Sequence, residues 1–368
     1  MKKLLFLFMI MLPVIFHSCS NQEIEFPDYD YQTVYFAYQY PVRTITLGED
    51  FVNTTMDNEH KFQIMATLGG VYSNKNNVTV NFVVDTSLCS GYHYENGDPI
   101  RVLPESYYQL ASNSIVIPAG KIAGGVEVQL TDAFFADTLA VNTNYVVPIR
   151  MVSVENADSV LRGKPNPVFT NPRRLVDGDW EILPKDFVLY AVKYVNPWHG
   201  FYLRRGIELR TRDGIADTVI RHSHYVEDDQ VWKLNTLSLN DLHYPMDYKS
   251  RLSHDLKFGV KLGFDENLEF TVSPPASAYQ VNDTVRVYNI TATGNGKFIK
   301  EGEKNSWGNK DRDAMYLKYD VGYEVEISYP KADPPKPPDI QQVTYSSTDT
   351  LVLRNRGVEM EVFKVAVP

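Results

Sequence analysis

The residues best suited to chemistry lie in a charged stretch around one tryptophan: Glu303-Lys304-Asn305-Ser306-Trp307-Gly308-Asn309-Lys310-Asp311-Arg312-Asp313. A sugar presents flat apolar C–H faces and hydroxyl edges. Its binder needs an aromatic platform beside groups that replace each hydroxyl's hydrogen bonds with water. Trp307 offers the platform, and Lys310, Asp311 and Arg312 offer the donors and acceptors. A second indole, Trp198, stands beside His199 in Asn196-Pro197-Trp198-His199-Gly200. Aromatics make up 12 % of the chain and 24 residues are tyrosine, more than a binding site needs; most belong to packing. The plainer reading of Trp307 is that it too packs onto its own scaffold, as large aromatics usually do.

Other chemistries find less support. His222-Ser223-His224 puts two imidazoles on one face of a strand, but two ligands are too few for zinc. Asp311-Arg312-Asp313 alternates its acids yet lacks the length and glycine of a calcium loop. No metal and no cofactor is expected. There is no Gly-x-Ser-x-Gly elbow, no Cys–His arrangement and no phosphate-binding glycine motif. Glycoside hydrolysis needs two facing carboxylates. With 46 acids such a pair can always be imagined, so composition decides nothing there. The chain reads as non-catalytic.

The elements that must position these residues are strands. From residue 32 onward the apolar period is two rather than 3.6. Strands are expected over 33–38, 43–47, 61–68, 78–85, 114–117, 125–130 and 144–151, with Pro148 marking an edge or a bulge. Short helices are expected near 104–110 and 132–138. Residues 187–195 are long enough for a helix, but three valines and three aromatics favour the last strand of a β-sandwich. After a junction at 196–200, strands follow over 201–210, 217–226, 230–239, 256–264, 268–272, 284–293, 314–319 and 323–329. Two more, 350–354 and 358–365, flank an Asn355-Arg356-Gly357 turn. A glycine-rich turn is expected at 294–296, and a stiff proline-rich excursion at 331–338. So many mostly antiparallel strands in one domain point to a barrel, because closure removes the sheet's edges.

The start of the chain is an address. Lys2 and Lys3 precede an apolar run, Leu4–Phe16, too short to span a bilayer and fitting a secretory signal. It ends in Phe16-His17-Ser18-Cys19, which looks like a bacterial lipobox with Cys19 as the lipid attachment site. The expected organisation is therefore 1–18 signal peptide, 19–30 lipidated tether, 31–195 sandwich and 196–368 barrel. Cys89 is the only other cysteine, so an acylated Cys19 leaves no intrachain disulfide. Loss of residues 1–18 removes two lysines and no acids, taking the net charge from −10 to −12. Such a surface argues against nucleic acid and against polybasic membrane docking.

A family resemblance adds to this reading. Thr67-Leu68-Gly69-Gly70-Val71-Tyr72, Gln129-Leu130-Thr131-Asp132 and 144–148 resemble the module called domain of unknown function 1735. Trp198-His199-Gly200 and Trp307-Gly308-Asn309-Lys310-Asp311-Arg312-Asp313-Ala314 resemble domain of unknown function 5627, often its C-terminal partner. The resemblance implies an all-β surface lipoprotein of Bacteroidetes: an immunoglobulin-like β-sandwich followed by a calycin- or lipocalin-like antiparallel β-barrel. It implies lipid anchoring in the outer membrane with exposure at the cell surface. It also implies a role in polysaccharide utilisation, with a glycan and outer-membrane transport proteins as partners. The family supplies no agreed site residues.

Three functions follow: a glycan-binding lipoprotein, a structural or adhesive protein that contacts another protein, and an unrecognised hydrolase. The lipobox reading has a direct test. Cys19→Ala should move the protein from the membrane fraction to the soluble fraction; retention of the variant in the membrane would refute the anchor.

Overall fold

The structure is a computed structural model, and it describes residues 28–249, 255–276, 278–331 and 334–366. Cys19, its leader and most of the tether lie outside the described residues. The chain is almost entirely β. The eight main strands of its first part are β1 Thr33–Tyr35, β2 Pro41–Thr46, β3 Lys61–Gly69, β4 Val78–Val84, β5 Ser114–Ile117, β6 Ala123–Leu130, β7 Tyr145–Glu155 and β8 Phe187–Val195. One sheet runs β1-β3-β6, with short strands Ser159–Val160 and Tyr108–Leu110 on its flanks. The other runs β2-β8-β7-β4-β5. The pairs β1 with Ser159–Val160, β2 with β8, and β7 with Arg101–Val102 are parallel.

Alternation explains the first sheet. Phe62, Ile64, Ala66 and Leu68 of β3 face Val34, Val126, Val128 and the inner face of the second sheet in one core. β7 and β8 instead bury both faces. Val188, Val192 and Tyr194 join that core, while Phe187, Leu189 and Ala191 join a second cluster with Val42, Leu88, Cys89 and Ile100. A strand covered on both sides reads as a continuous apolar run, which is why 187–195 resembles a helix by composition. Cys89 is a buried free thiol whose pKa burial pushes up to about 12.

Two local expectations fail here. Pro148 sits in a strand paired on both sides, not at an edge. It lies one residue beyond the β7–β4 ladder, which starts at Ile149 opposite Val84, so no ladder bond is lost. The irregularity falls instead between Met151 and Ser153. Near 104–110 there is only a turn of 3₁₀ helix, Glu105–Tyr107, leading into a strand. An unforeseen helix, Thr55–Asn58, joins the expected one at Asp132–Ala136.

The second part begins at Gly200 with β9 Gly200–Arg212, followed by β10 Ile215–Arg221, β11 Gln230–Thr236, β12 Asp241–Lys249, β13 Asp255–Phe264, β14 Glu269–Ser273, β15 Val285–Ser306, β16 Lys310–Ile327 and β17 Asp339–Asn355. Each neighbour pairs antiparallel, and β9 pairs with both β11 and β17, so the sheet closes on itself. β10 hangs off the ring as an edge strand. Met315, Leu317, Tyr319, Val321 and Tyr323 of β16 point inward with Trp232, Phe258 and Leu351. An ion pair is buried among them: Arg204 to Asp349 at 2.7 Å, with Tyr244 and Tyr319 each donating to Asp349 at 2.9 Å.

β15 is far longer than expected. Gly296 marks no turn; it lies mid-strand, where an added Cβ would meet the Phe270 ring at 2.3 Å. The charged run after it reads as a loop but is a strand in water. The chain after β17 also differs from expectation. Val358–Val365 does not close the barrel. Glu361–Val362 pairs with β2, and Val365–Ala366 pairs with His93–Tyr94, both in the sandwich.

The two parts meet at a buried joint. Arg356, 2 % exposed, donates to the carbonyls of His199 (2.7 Å), Asn196 (2.6 Å), Leu47 (3.1 Å) and Glu49 (3.0 Å). Asn196 donates in turn to the carbonyls of Ser238 (3.0 Å) and Asp241 (3.1 Å). Leu239, in the same turn, packs on the sandwich core. Arg356→Ala would leave four carbonyls without their donor. We predict a loss of about 3 kcal/mol or more, with one urea transition resolving into two. Chemical unfolding followed by circular dichroism and tryptophan fluorescence checks this. An unchanged midpoint would mean that the joint holds without the arginine.

Candidate functional site

Trp307 occupies the tip of the β15–β16 hairpin. Ser306 pairs with Lys310, and Asn309 N–H closes the turn on Ser306 O at 2.9 Å. Gly308 (φ 70°) and Asn309 (φ 56°) are left-handed, as a tight hairpin requires. Two bulges sit below the tip at Glu301 (φ 50°) and Asn305 (φ 46°). Each freed amide finds an aspartate across the hairpin: Asp313 accepts from Glu301 N–H at 2.8 Å, and Asp311 from Asn305 N–H at 2.9 Å. Asp311 also accepts from Lys304 at 3.0 Å. The Asn305 amide, then Lys304, hold its carboxyl below the usual range. These two aspartates clamp the bulges.

Arg312, between them in sequence, projects elsewhere. Its Nε donates to Trp307 O at 2.8 Å. Its guanidinium stands 4.5 Å from the Trp307 ring centroid and 5.6 Å from that of Phe51. Burial lowers its pKa, and nearby Asp313 opposes the shift. Arg354, near the end of β17, approaches the Trp307 ring at 5.9 Å. Both arginines line a notch of 200 Å³ between the two parts of the chain, walled by Glu49, Asp50 and Phe51 on the sandwich side. Trp307 itself is half-buried beside it.

Of the residues picked out by sequence, the structure brings together Trp307 and Arg312. Asp311 faces Lys304, and Lys310 is exposed where the hairpin returns. Trp198 and His199 are corrected: neither is an open platform. Trp198 is 6 % exposed and stacks on Phe264, ring centroids 3.8 Å apart at 7°. His199 is buried, its Nδ1 accepting from Thr236 N–H at 3.2 Å. Junction residues looked like a loop because Pro and Gly bracket them, yet the joint buries them. Phe51 and Arg354 were missed. Phe51 reaches Arg312 only through the joint, and Arg354 reaches Trp307 only through the β16–β17 pairing, Ala314 opposite Val352. The one available signal was Arg354-Asn355-Arg356 at the end of an alternating strand.

His222 and His224 are exposed and lie past the end of β10, not on a strand face. Among the described residues no three His, Cys, Asp or Glu are grouped to hold a metal ion. Two larger grooves, 650 and 690 Å³, adjoin on the outer face of the closed sheet and share Lys318, Thr348 and Thr350. The second also carries Ile207, Leu209 and Ile220, which are 53 %, 57 % and 69 % exposed.

The chain is similar to known modules and structures. Residues 197–357 match the family model for a domain of unknown function, DUF5627. Residues 29–158 match a model for an N-terminal domain. A crystal structure of a Bacteroides ovatus protein of unknown function is 45 % identical, covers 92 % of this chain and 99 % of its own, and superposes with a TM-score of 0.77. Two others are remote. A Bacteroides ovatus multidomain protein including DUF1735 is 12 % identical, covering 89 % of this chain and 97 % of its own (TM-score 0.39). An auxiliary nutrient binding protein from Bacteroides thetaiotaomicron is 12 % identical, covering 85 % of this chain and 90 % of its own (TM-score 0.31). Scores that low fix neither a shared fold nor a shared function. None of the curated proteins matches.

The joint's histidine gives a pH prediction. Burial, then the Arg356 charge, lower His199 from 6.5 to about 3. Between those values the unfolded chain takes a proton that the folded chain refuses, so stability falls as pH falls through that window. The expected cost is about 1.4 kcal/mol for each pH unit. His199→Gln keeps an acceptor for Thr236 and should flatten this slope by about one proton. Unfolding free energies measured between pH 6.5 and 4 check it; parallel slopes would refute it.

Proposed function

The chain belongs to the family of the 45 %-identical Bacteroides ovatus protein and carries the DUF5627 module, and from that premise we propose that it is a non-catalytic, glycan-binding lipoprotein of the outer-membrane surface. We place its N-terminal part beside the DUF1735 modules, and its work within a polysaccharide utilisation system alongside outer-membrane transport proteins. One observation carries the reading. A half-exposed indole stands beside a notch between the two parts of the chain, with two arginines against its ring. Stacking surface and hydrogen-bond donors meet there, which is the combination sugar recognition needs. The notch is smaller than the ~300–1,000 Å³ of a drug-sized pocket, so it suits one sugar residue of a longer chain.

The notch's aspartates support the non-catalytic reading. Asp311 and Asp313 are each tied to one of the hairpin's own amides, a structural use of both carboxylates. A second reading, adhesion to another protein, rests on exposed Ile207, Leu209 and Ile220 on the outer sheet face.

The test is a glycan array followed by calorimetry on the best hit. A stacked ring contributes on the order of 1–3 kcal/mol in comparable contacts, so Trp307→Ala should weaken binding about tenfold or more. The fold should stay intact, because the ring lies at a hairpin tip. Trp198→Ala should do the opposite, costing about 3–5 kcal/mol of stability through a core cavity. Wild-type affinity in Trp307→Ala would make that ring a packing residue and favour the adhesion reading.

A further inference from the structure

The charges around the Trp307 notch are not equally occupied. Each of its five acids is engaged. Glu49 pairs with Lys300 at 2.6 Å, and Glu301 with Lys304 at 3.6 Å. Asp50 accepts from Phe51 N–H at 2.7 Å, while Asp311 and Asp313 hold the bulges. Arg356 is spent on four carbonyls of the joint. Arg312 and Arg354 differ. Neither has an ion pair among the described residues, although the chain carries 46 acids against 36 bases.

Arg312 is also pre-organised. Trp307 O fixes its Nε, and the Trp307 and Phe51 rings both lie against its guanidinium. What remains for a ligand is the outer fork of η nitrogens. An arginine only donates, so the ligand must bring acceptors, and a planar carboxylate fits that fork best. Arg354 stands on the next strand beside the same ring.

We propose that the notch recognises an acidic sugar: a hexuronate whose carboxylate meets Arg312 and Arg354 while its ring lies against Trp307. The proposal rests on the glycan-binding reading and names the ligand class for it. Neighbouring residues of the polymer would run out over open surface, since the notch holds little more than one sugar ring.

The test compares polygalacturonate, alginate and hyaluronan with their carboxyl-methylated esters by calorimetry, on wild type, Arg354→Gln and Trp307→Ala. Among the described residues the Arg354 side chain makes no hydrogen bond, so its variant should keep the wild-type melting temperature. At least one acid polymer should bind, and its ester about tenfold more weakly. Arg354→Gln should weaken the acid form far more than the ester, so that the ratio of their affinities falls towards one. Equal binding of acid and ester overturns the proposal, as does a preference that survives Arg354→Gln. Stronger binding of a sulfated, uronate-free carrageenan would assign the arginines to sulfate and overturn it too. In each of these cases loss of binding in Trp307→Ala would leave the glycan reading standing. Failure of every acid polymer and every neutral glycan to bind would sink both.

Discussion

The structure depends on one desolvated cation. Arg356 is buried where the end of the closed sheet, the junction at Asn196–His199 and the turn after β2 converge, and it answers four backbone carbonyls at once. Burial lowers its pKa, and among the described residues no ion pair with it is found. A guanidinium can accept such a position because it is weakly hydrated and presents its donors in a rigid plane. The geometry this enforces is what makes the notch possible. Phe51 comes from the sandwich and Arg312, Arg354 and Trp307 from the closed sheet, and only a fixed joint keeps them within reach of one another.

A second constraint sends recognition to the outside. Closing an eight-stranded ring usually leaves room for side chains or one small ligand. Here the interior holds Tyr202, Trp232, Tyr244, Phe258, Tyr319 and Leu351, with Arg204 and Asp349 paired among them. Arg204 also lies 4.9 Å from the Trp232 ring. The ring is filled with aromatics around a charge pair in which Asp349 Oδ2 takes Arg204 and two tyrosines, while its Oδ1 has no hydrogen-bond partner among the described residues. The chemistry available to a ligand lies where strands overrun the ring, at the β15–β16 tip and around it.

Much of the architecture was legible in the sequence because alternation is a strong signal wherever one face is buried. The strands at 114–117 and 187–195 match to the residue, and most others agree within two or three. Legibility failed where strands lack a buried face. Residues 297–306 are charged and wet, held by cross-hairpin pairing and two aspartate clamps that no local pattern announces. It failed at the junction for the reverse reason. Trp198 and His199 look like loop residues, yet Trp198 enters the core of the closed sheet against Phe264 and His199 is buried at the joint. Of the site, Trp307 and Arg312 were readable because they are neighbours in sequence. Phe51 and Arg354 were not, because a non-local assembly delivers them.

The return of the chain's end to the sandwich bears on the order of folding. β2 gains one of its two neighbours, Glu361–Val362, only after the entire closed sheet has been made. His93–Tyr94 likewise waits for Val365–Ala366. During synthesis or export the first half therefore presents an unpaired strand edge for as long as it takes the other half to emerge. Contacts this distant in sequence form late and slowly, because loop closure must come first. An exposed edge is also a template for pairing with other chains. Residues 361–366 thus act as a clasp that shuts only after the closed sheet has been made, and a nascent chain keeps that edge open until then.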